Sequence, residues 1–242
     1  MRPIILAALL IVAMSSCSTY QYVTLSSPQV PKNDKNEFIF ENDTMKLVYN
    51  FHGEGGPMNL TVYNKTSQPL YVDWKKSALI EGNQPTSLFN RNVQISGTST
   101  TSNNYPRTRL TPRSSSVVNL SFDLPEGMDF IPPGTHINKE LATLVATAEP
   151  LKGTVAENSK QEKQVGPDGM TVIKWKRASF EEGQSPLTFK SYLTFVLGQN
   201  ASLEFSIQHS FYVKEVLETH NGPELFNLYG QGGDNLYVRQ SL

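Results

Sequence analysis

Strict alternation of apolar and polar residues over several short runs is the feature that most constrains this chain. Met45, Leu47, Tyr49 and Phe51 alternate with Lys46, Val48, Asn50 and His52. Met58, Leu60 and Val62 alternate with Asn59, Thr61 and Tyr63, and Leu70, Val72 and Trp74 with Tyr71, Asp73 and Lys75. A strand sends successive side chains to opposite faces, so this period implies sheets with one face buried. Gly53-Glu54-Gly55-Gly56-Pro57 and Asn64-Lys65-Thr66-Ser67-Gln68-Pro69 separate the runs with turn chemistry. Further strands are expected over 78–81, 93–96 and 117–122. The clearest hairpin lies near the C-terminus. Leu187, Phe189, Ser191, Leu193, Phe195 and Leu197 share one face, and Leu203, Phe205, Ile207, His209, Phe211 and Val213 share the face of the returning strand. These strands exceed the usual length of about five or six residues, so they should pair centrally in a sheet or bend through a bulge. Many short strands with turns between them argue for an all-β sandwich or barrel.

Two segments break the alternation. Residues 97–116, rich in Ser, Thr and Asn, and residues 151–169, polar and charged, read as long surface loops. Between them Asn138 is placed to cap a short helix, with Leu141, Leu144, Val145 and Ala148 on one side; Thr143 and Thr147 make a strand there nearly as good a reading.

The N-terminus follows a different logic. Arg2 precedes a continuous apolar run, residues 4–14, and Ser15-Ser16-Cys17 follows. A positive start, a short apolar core and small residues make an export signal over 1–16. The run is too short to span a bilayer, which takes about 20 residues. Cys17 is the single cysteine of the chain, so neither a disulfide framework nor a cysteine zinc site is available. Its position resembles the bacterial lipobox, in which the chain is cut before Cys and the thiol takes diacylglycerol, with palmitate among the acyl chains. Met14 stands where Leu is commoner. One acyl chain binds membranes marginally, and two or three hold a protein without a transmembrane helix. Residues 17–37, with Ser26-Ser27-Pro28 and Pro31-Lys32-Asn33-Asp34-Lys35-Asn36, then read as a flexible tether. Such a tether would span roughly 25 Å. The folded domain is expected over 38–242.

The Met45–Ile80 stretch, with Asn64-Lys65-Thr66-Ser67-Gln68-Pro69-Leu70-Tyr71-Val72-Asp73-Trp74 at its centre, is similar to uncharacterised envelope lipoproteins of the Bacteroidota. The resemblance implies an immunoglobulin-like β-sandwich, here with long loops and a long C-terminal hairpin. It implies an envelope location and no particular activity. In that setting Asp43-Thr44-Met45 matches an O-glycosylation sequon, making Thr44 a candidate site. Surface-exposed lipoproteins of this group tend to carry acidic residues just after the cysteine. Here the first acidic residue is Asp34, so an outer-membrane anchor with the domain facing the periplasm is expected.

Signatures of chemistry are sparse. The chain has no Gly-x-Ser-x-Gly elbow, no His-Glu-x-x-His, no P-loop and no dinucleotide fingerprint. His52, His136, His209 and His220 show no metal spacing, so no catalytic residue, metal or cofactor is assigned. A net charge of -1 supplies no counterion-release term for nucleic acid. His209, between Ile207 and Phe211, reads either as a desolvated base or as a buried neutral histidine. Asp73 reads as a ligand contact or as a carboxylate accepting backbone N–H groups. Trp74 and Trp175 read as core before sugar platforms. Arg107, Arg109 and Arg113 form a local basic cluster, either a contact for phosphate or carboxylate groups or a solvated loop. Residues 230–235 resemble a calcium loop but lack spaced acidic ligands, and read as a turn. The expectation is a membrane-anchored interaction or scaffold module. Its partners would be periplasmic proteins or envelope polymers. The alternatives are a carbohydrate or envelope-polymer binder, and a hydrolase whose site assembles in space.

Overall fold

The structure is a computed structural model that describes residues 18–89, 127–145, 151–156, 159–166, 169–198, 203–224 and 232–240. It is all-β, 62% strand and 2% helix. In chain order the described strands are β1 (Thr19–Ser26), β2 (Phe38–Glu41), β3 (Met45–Asn50), β4 (Gly53–Glu54), β5 (Pro57–Asn64), β6 (Leu70–Glu81), β7 (Gln84–Ser87), β8 (Met128–Ile131), β9 (His136–Thr143), β10 (Gln161–Val165), β11 (Val172–Ser179), β12 (Thr188–Leu197), β13 (Leu203–Thr219) and β14 (Asn235–Gln240). They make two sheets. The smaller runs β2-β3-β5-β9. The larger runs β4-β14-β1-β13-β12-β6-β7, with β8 added to β6 and the β10–β11 pair joined to β13 through β11.

The alternating residues do what their period requires. Met45, Leu47, Tyr49, Met58, Leu60 and Val62 leave the smaller sheet toward the larger one, which answers with Leu70, Val72, Leu193, Phe195, Phe211 and Val213; all are buried in one core. Phe38, Tyr49, Phe51, Phe189 and Phe211 meet at its centre with ring centroids 5.1 to 6.3 Å apart. Most of these contacts are edge-on, the arrangement that ring quadrupoles favour. The chain crosses between sheets at Gly55 and Gly56, both at positive φ. A Cβ on Gly56 would come within 2.6 Å of the Leu236 side chain, so only glycine lets β14 approach there.

The long hairpin pairs as its pattern requires, from Leu197 opposite Leu203 to Phe189 opposite Phe211. A bulge then lets β13 continue. Thr24 faces Glu215 and Leu25 faces Val213, leaving Lys214 as the extra residue. The insertion exchanges the faces, so Phe211, Val213 and Val216 all enter the core while Leu217 points outward. A larger irregularity sits in β6. Asp73 faces Thr194 and Ala78 faces Tyr192, so four residues oppose Leu193 alone. Ser77 closes it, donating from Oγ to the Asp73 carbonyl at 2.6 Å and accepting the Thr194 N–H at 3.0 Å.

Three sequence expectations are corrected. The 17–37 tether is not free within its described part. Thr19–Ser26 is strand β1, set between β13 and β14 with Val23 and Leu25 buried. Residues 27–37 are a pinned crossover to the smaller sheet. Lys32 pairs with Asp234 at 2.5 Å, Val30 is buried, and Ser210 N–H donates to Gln29 Oε1. Proline and polar side chains suit a pinned crossover as well as a loose linker, so composition misleads there. Residues 151–169 are not all loop, because β10 pairs with β11. Asn138 caps no helix; it lies in β9, where pairing with β5 overrides the helical spacing. The expected strands at 93–96 and 117–122 and the 97–116 loop fall outside the described residues.

Candidate functional site

Among the described residues, the polar side chains singled out in the sequence are not brought together. His209 is buried, and Tyr49 Oη lies 2.9 Å from its Nδ1. Burial lowers the imidazole pKa from 6.5 to about 4 and raises that of the Tyr49 phenol. The phenol therefore stays protonated and the imidazole neutral, and the two share one hydrogen bond. Phe40 covers the ring at 4.7 Å, and Ser191 stands opposite on β12. The neutral-histidine reading describes this residue. Asp73 accepts the N–H groups of Lys75 and Lys76 inside the β6 irregularity. His52 is exposed, His136 stacks on Tyr63, and His220 follows the last residue of β13. Among the described residues no group of three His, Cys, Asp or Glu could hold a metal.

Both tryptophans are structural. Trp74 donates from Nε1 to Asp129 at 2.8 Å, and Lys139 bridges the same carboxylate while lying 4.7 Å over the indole. Trp175 donates to Glu162 at 2.7 Å. The Arg177 guanidinium beside Glu162 holds that carboxyl below its usual range. Thr44 sits half-buried in the β2–β3 turn, where Asn42 Oδ1 accepts its N–H. Asp234 stands in the glycine turn before β14. Cys17, Arg107, Arg109 and Arg113 lie outside the described residues.

What the sequence did not single out is the end of the larger sheet where β1 begins. Tyr20 pairs across to Arg239 and Tyr22 to Tyr237, so three tyrosines share the outer face. Tyr22 and Tyr237 lie 6.0 Å apart, and Ile173, Trp175 and Leu217 complete the patch. Burial, with Tyr20 and Tyr237 close by, raises the Tyr22 phenol, which donates to the Asn221 carbonyl. Burial and the nearby Glu54 carboxylate raise Tyr237. A groove of about 450 Å³ opens beside it, lined by Tyr20, Tyr237, Glu54, Glu224 and Arg239. Gly222 packs against the Tyr20 ring at its edge. Two ring faces, two carboxylates and a guanidinium offer stacking and hydrogen bonds to a hydroxyl-rich ligand. The alternation of Tyr20 and Tyr22 with Gln21, Val23 and Leu25 was the available signal; the Ser-Pro cluster after it hid the strand.

No protein-family model, curated protein or solved structure matches the chain.

Proposed function

We propose that this chain is a lipid-anchored envelope protein with a non-catalytic interaction or scaffold role, held at the outer membrane with its domain facing the periplasm. The observation that carries the reading is the closeness of Cys17 to the folded body. Ser18 alone separates Cys17 from β1, an interior strand of the larger sheet. An acyl group on that cysteine would seat a rigid domain at the bilayer, which suits a scaffold better than a long-reach binder. The two sheets are read as an elaborated immunoglobulin-like sandwich, supported by their antiparallel smaller sheet and the single core between them. Replacing Cys17 tests the anchor. Cys17→Ala should no longer take up a palmitate analogue in cells, and uptake at the wild-type level would reject the anchor.

A second reading, binding of carbohydrate or envelope polymer, is favoured by the Tyr20–Tyr237 groove with Glu54, Glu224 and Arg239. Soluble glycan strands should quench tyrosine emission, and Glu54→Gln should weaken that response several-fold. Release of reducing ends that Glu54→Gln abolishes would instead put the hydrolase alternative first.

A further inference from the structure

Lys32 and Asp234 meet across 202 residues of chain, where the crossover between the sheets packs on the glycine turn before β14. Lys32 Nζ lies 2.5 Å from Asp234 Oδ2. It also donates to the Leu25 carbonyl at 2.7 Å and stands 5.0 Å over the Phe38 ring. Backbone hydrogen bonds fix both partners. Lys32 bridges to Phe38, and the Ile39 N–H donates to the Pro31 carbonyl. The Leu25 N–H donates to the Asp234 carbonyl, and the Gly233 N–H to that of Lys35.

The Asp234 side chain is 6% exposed. Its second oxygen, Oδ1, is buried, and among the described residues nothing donates to it. A charged oxygen left so is costly, because neither water nor a donor replaces its hydration. Asn36 stands across Gly232 from it. A Cβ on that glycine would lie 2.9 Å from both Asn36 Nδ2 and Asp234 Oδ1. Asn36 is also the one non-glycine residue at positive φ among the described residues, at 56°. Surrounding structure has to hold such a backbone, and it gathers where chemistry is done.

We propose that Lys32 and Asp234 join in an isopeptide bond, an amide from Nζ to Cγ. The ammonium passes one proton to Oδ2 across the 2.5 Å contact. The neutral amine then attacks Cγ, which lies one C–O bond beyond Oδ2 and so at most about 3.7 Å away. As the tetrahedral carbon collapses, the Cγ–Oδ2 bond breaks. Oδ2 leaves as water, carrying that proton and a second one from the nitrogen. No oxidant or co-reactant enters. Separate amines and carboxylic acids do not condense in water, but groups held in contact act at effective concentrations of about 10⁵–10⁸ M. The product also suits its surroundings better than the ion pair does. Its single N–H keeps the Leu25 carbonyl as acceptor, and Oδ1 becomes a neutral carbonyl facing the Asn36 amide. The bond ties the crossover after β1 to the turn before β14, closing nearly the whole domain in one covalent loop, as a disulfide does.

Tryptic digestion of the full-length protein, read by mass spectrometry, tests the bond. The peptide ending at Lys35 and the peptide Glu215–Arg239 should appear joined, at the sum of their masses less one water, with no cleavage after Lys32. Asp234→Asn should give the same joined mass, because ammonia then leaves in place of water. Lys32→Arg keeps the cation without the amine and should give two separate peptides; a joined pair there would overturn the assignment to Lys32. Asn36→Gly suits the positive φ and removes the amide, so it should lower the joined fraction several-fold soon after synthesis. An unchanged fraction would overturn the part given to Asn36. Separate peptides from the folded wild-type protein, with cleavage after Lys32, would overturn the bond and leave an ion pair.

Discussion

The interior between the two sheets and the patch at the start of β1 use the same kinds of residue and reach different ends. Between the sheets Phe38, Tyr49, Phe51, Phe189 and Phe211 are covered on every side, and the polar atoms among them are spent on one another, as Tyr49 and His209 show. At the β1 end the patch lies on the outer face of the larger sheet, turned away from the smaller one, and among the described residues no second layer covers it. There Tyr20, Tyr22, Trp175 and Tyr237 cover each other, their polar tips reach out to Asn221 and Glu162, and the hairpin beyond them ends in open valines. A sheet face with a facing layer becomes core. One without it remains half-wet, and is where grooves and contacts with other surfaces arise.

The contrast can be broken by mutation. Phe211→Ala should cost about 4 kcal/mol, because the void it leaves is walled by rings that cannot collapse into it. Trp175→Ala should cost about 2 kcal/mol, since its ring, though buried, borders a surface groove through which water can enter the space it leaves. Urea unfolding of both variants measures this, and equal costs would mean that the patch is as enclosed as the core.

Acid should act on the interior first. His209 has a folded pKa near 4 against 6.5 in the unfolded chain. Between those values the unfolded chain binds the proton and the folded chain does not. This part of the stability is therefore whole above pH 6.5 and is lost as the pH falls toward 4. The loss should be about 2 kcal/mol once solvent screening is allowed for. His209→Gln keeps a hydrogen-bonding group for Tyr49 without a titrating proton and should flatten the slope; an unchanged slope would assign it to other groups.

The smallest effect belongs to the patch. Glu162→Gln should change stability by less than about 1 kcal/mol, because its partner Arg177 also pairs with Glu215 and water reaches the site. A larger loss would show that the hairpin is held on β13 mainly by this carboxylate.

How much of this was legible in the sequence depended on range. Met45 to Trp74 and Leu187 to Val213 announced strands and faces, because the two-residue period is a property of the backbone and needs no partner. The β10 strand, Gln161-Glu162-Lys163-Gln164-Val165, showed no apolar face, because its burial is slight and its pairing to β11 holds it. Of the candidate residues, Asp73 and His209 were placed near their observed roles. The Tyr20–Tyr237 groove was missed, because its lining comes from both ends of the chain.

The sequence by itself determined that this chain folds as sheets with one apolar face, and which side chains of each strand lie together. Tertiary structure alone decided that Thr19–Ser26 is an interior strand and not a tether. Val23 and Leu25 are apolar in either case. What makes them core is pairing with Val216 and Val213 on one side, and pairing of Val23 with Leu236 on the other, some 190 to 210 residues away. A local pattern can specify a face, but it carries no record of which distant strand will cover it.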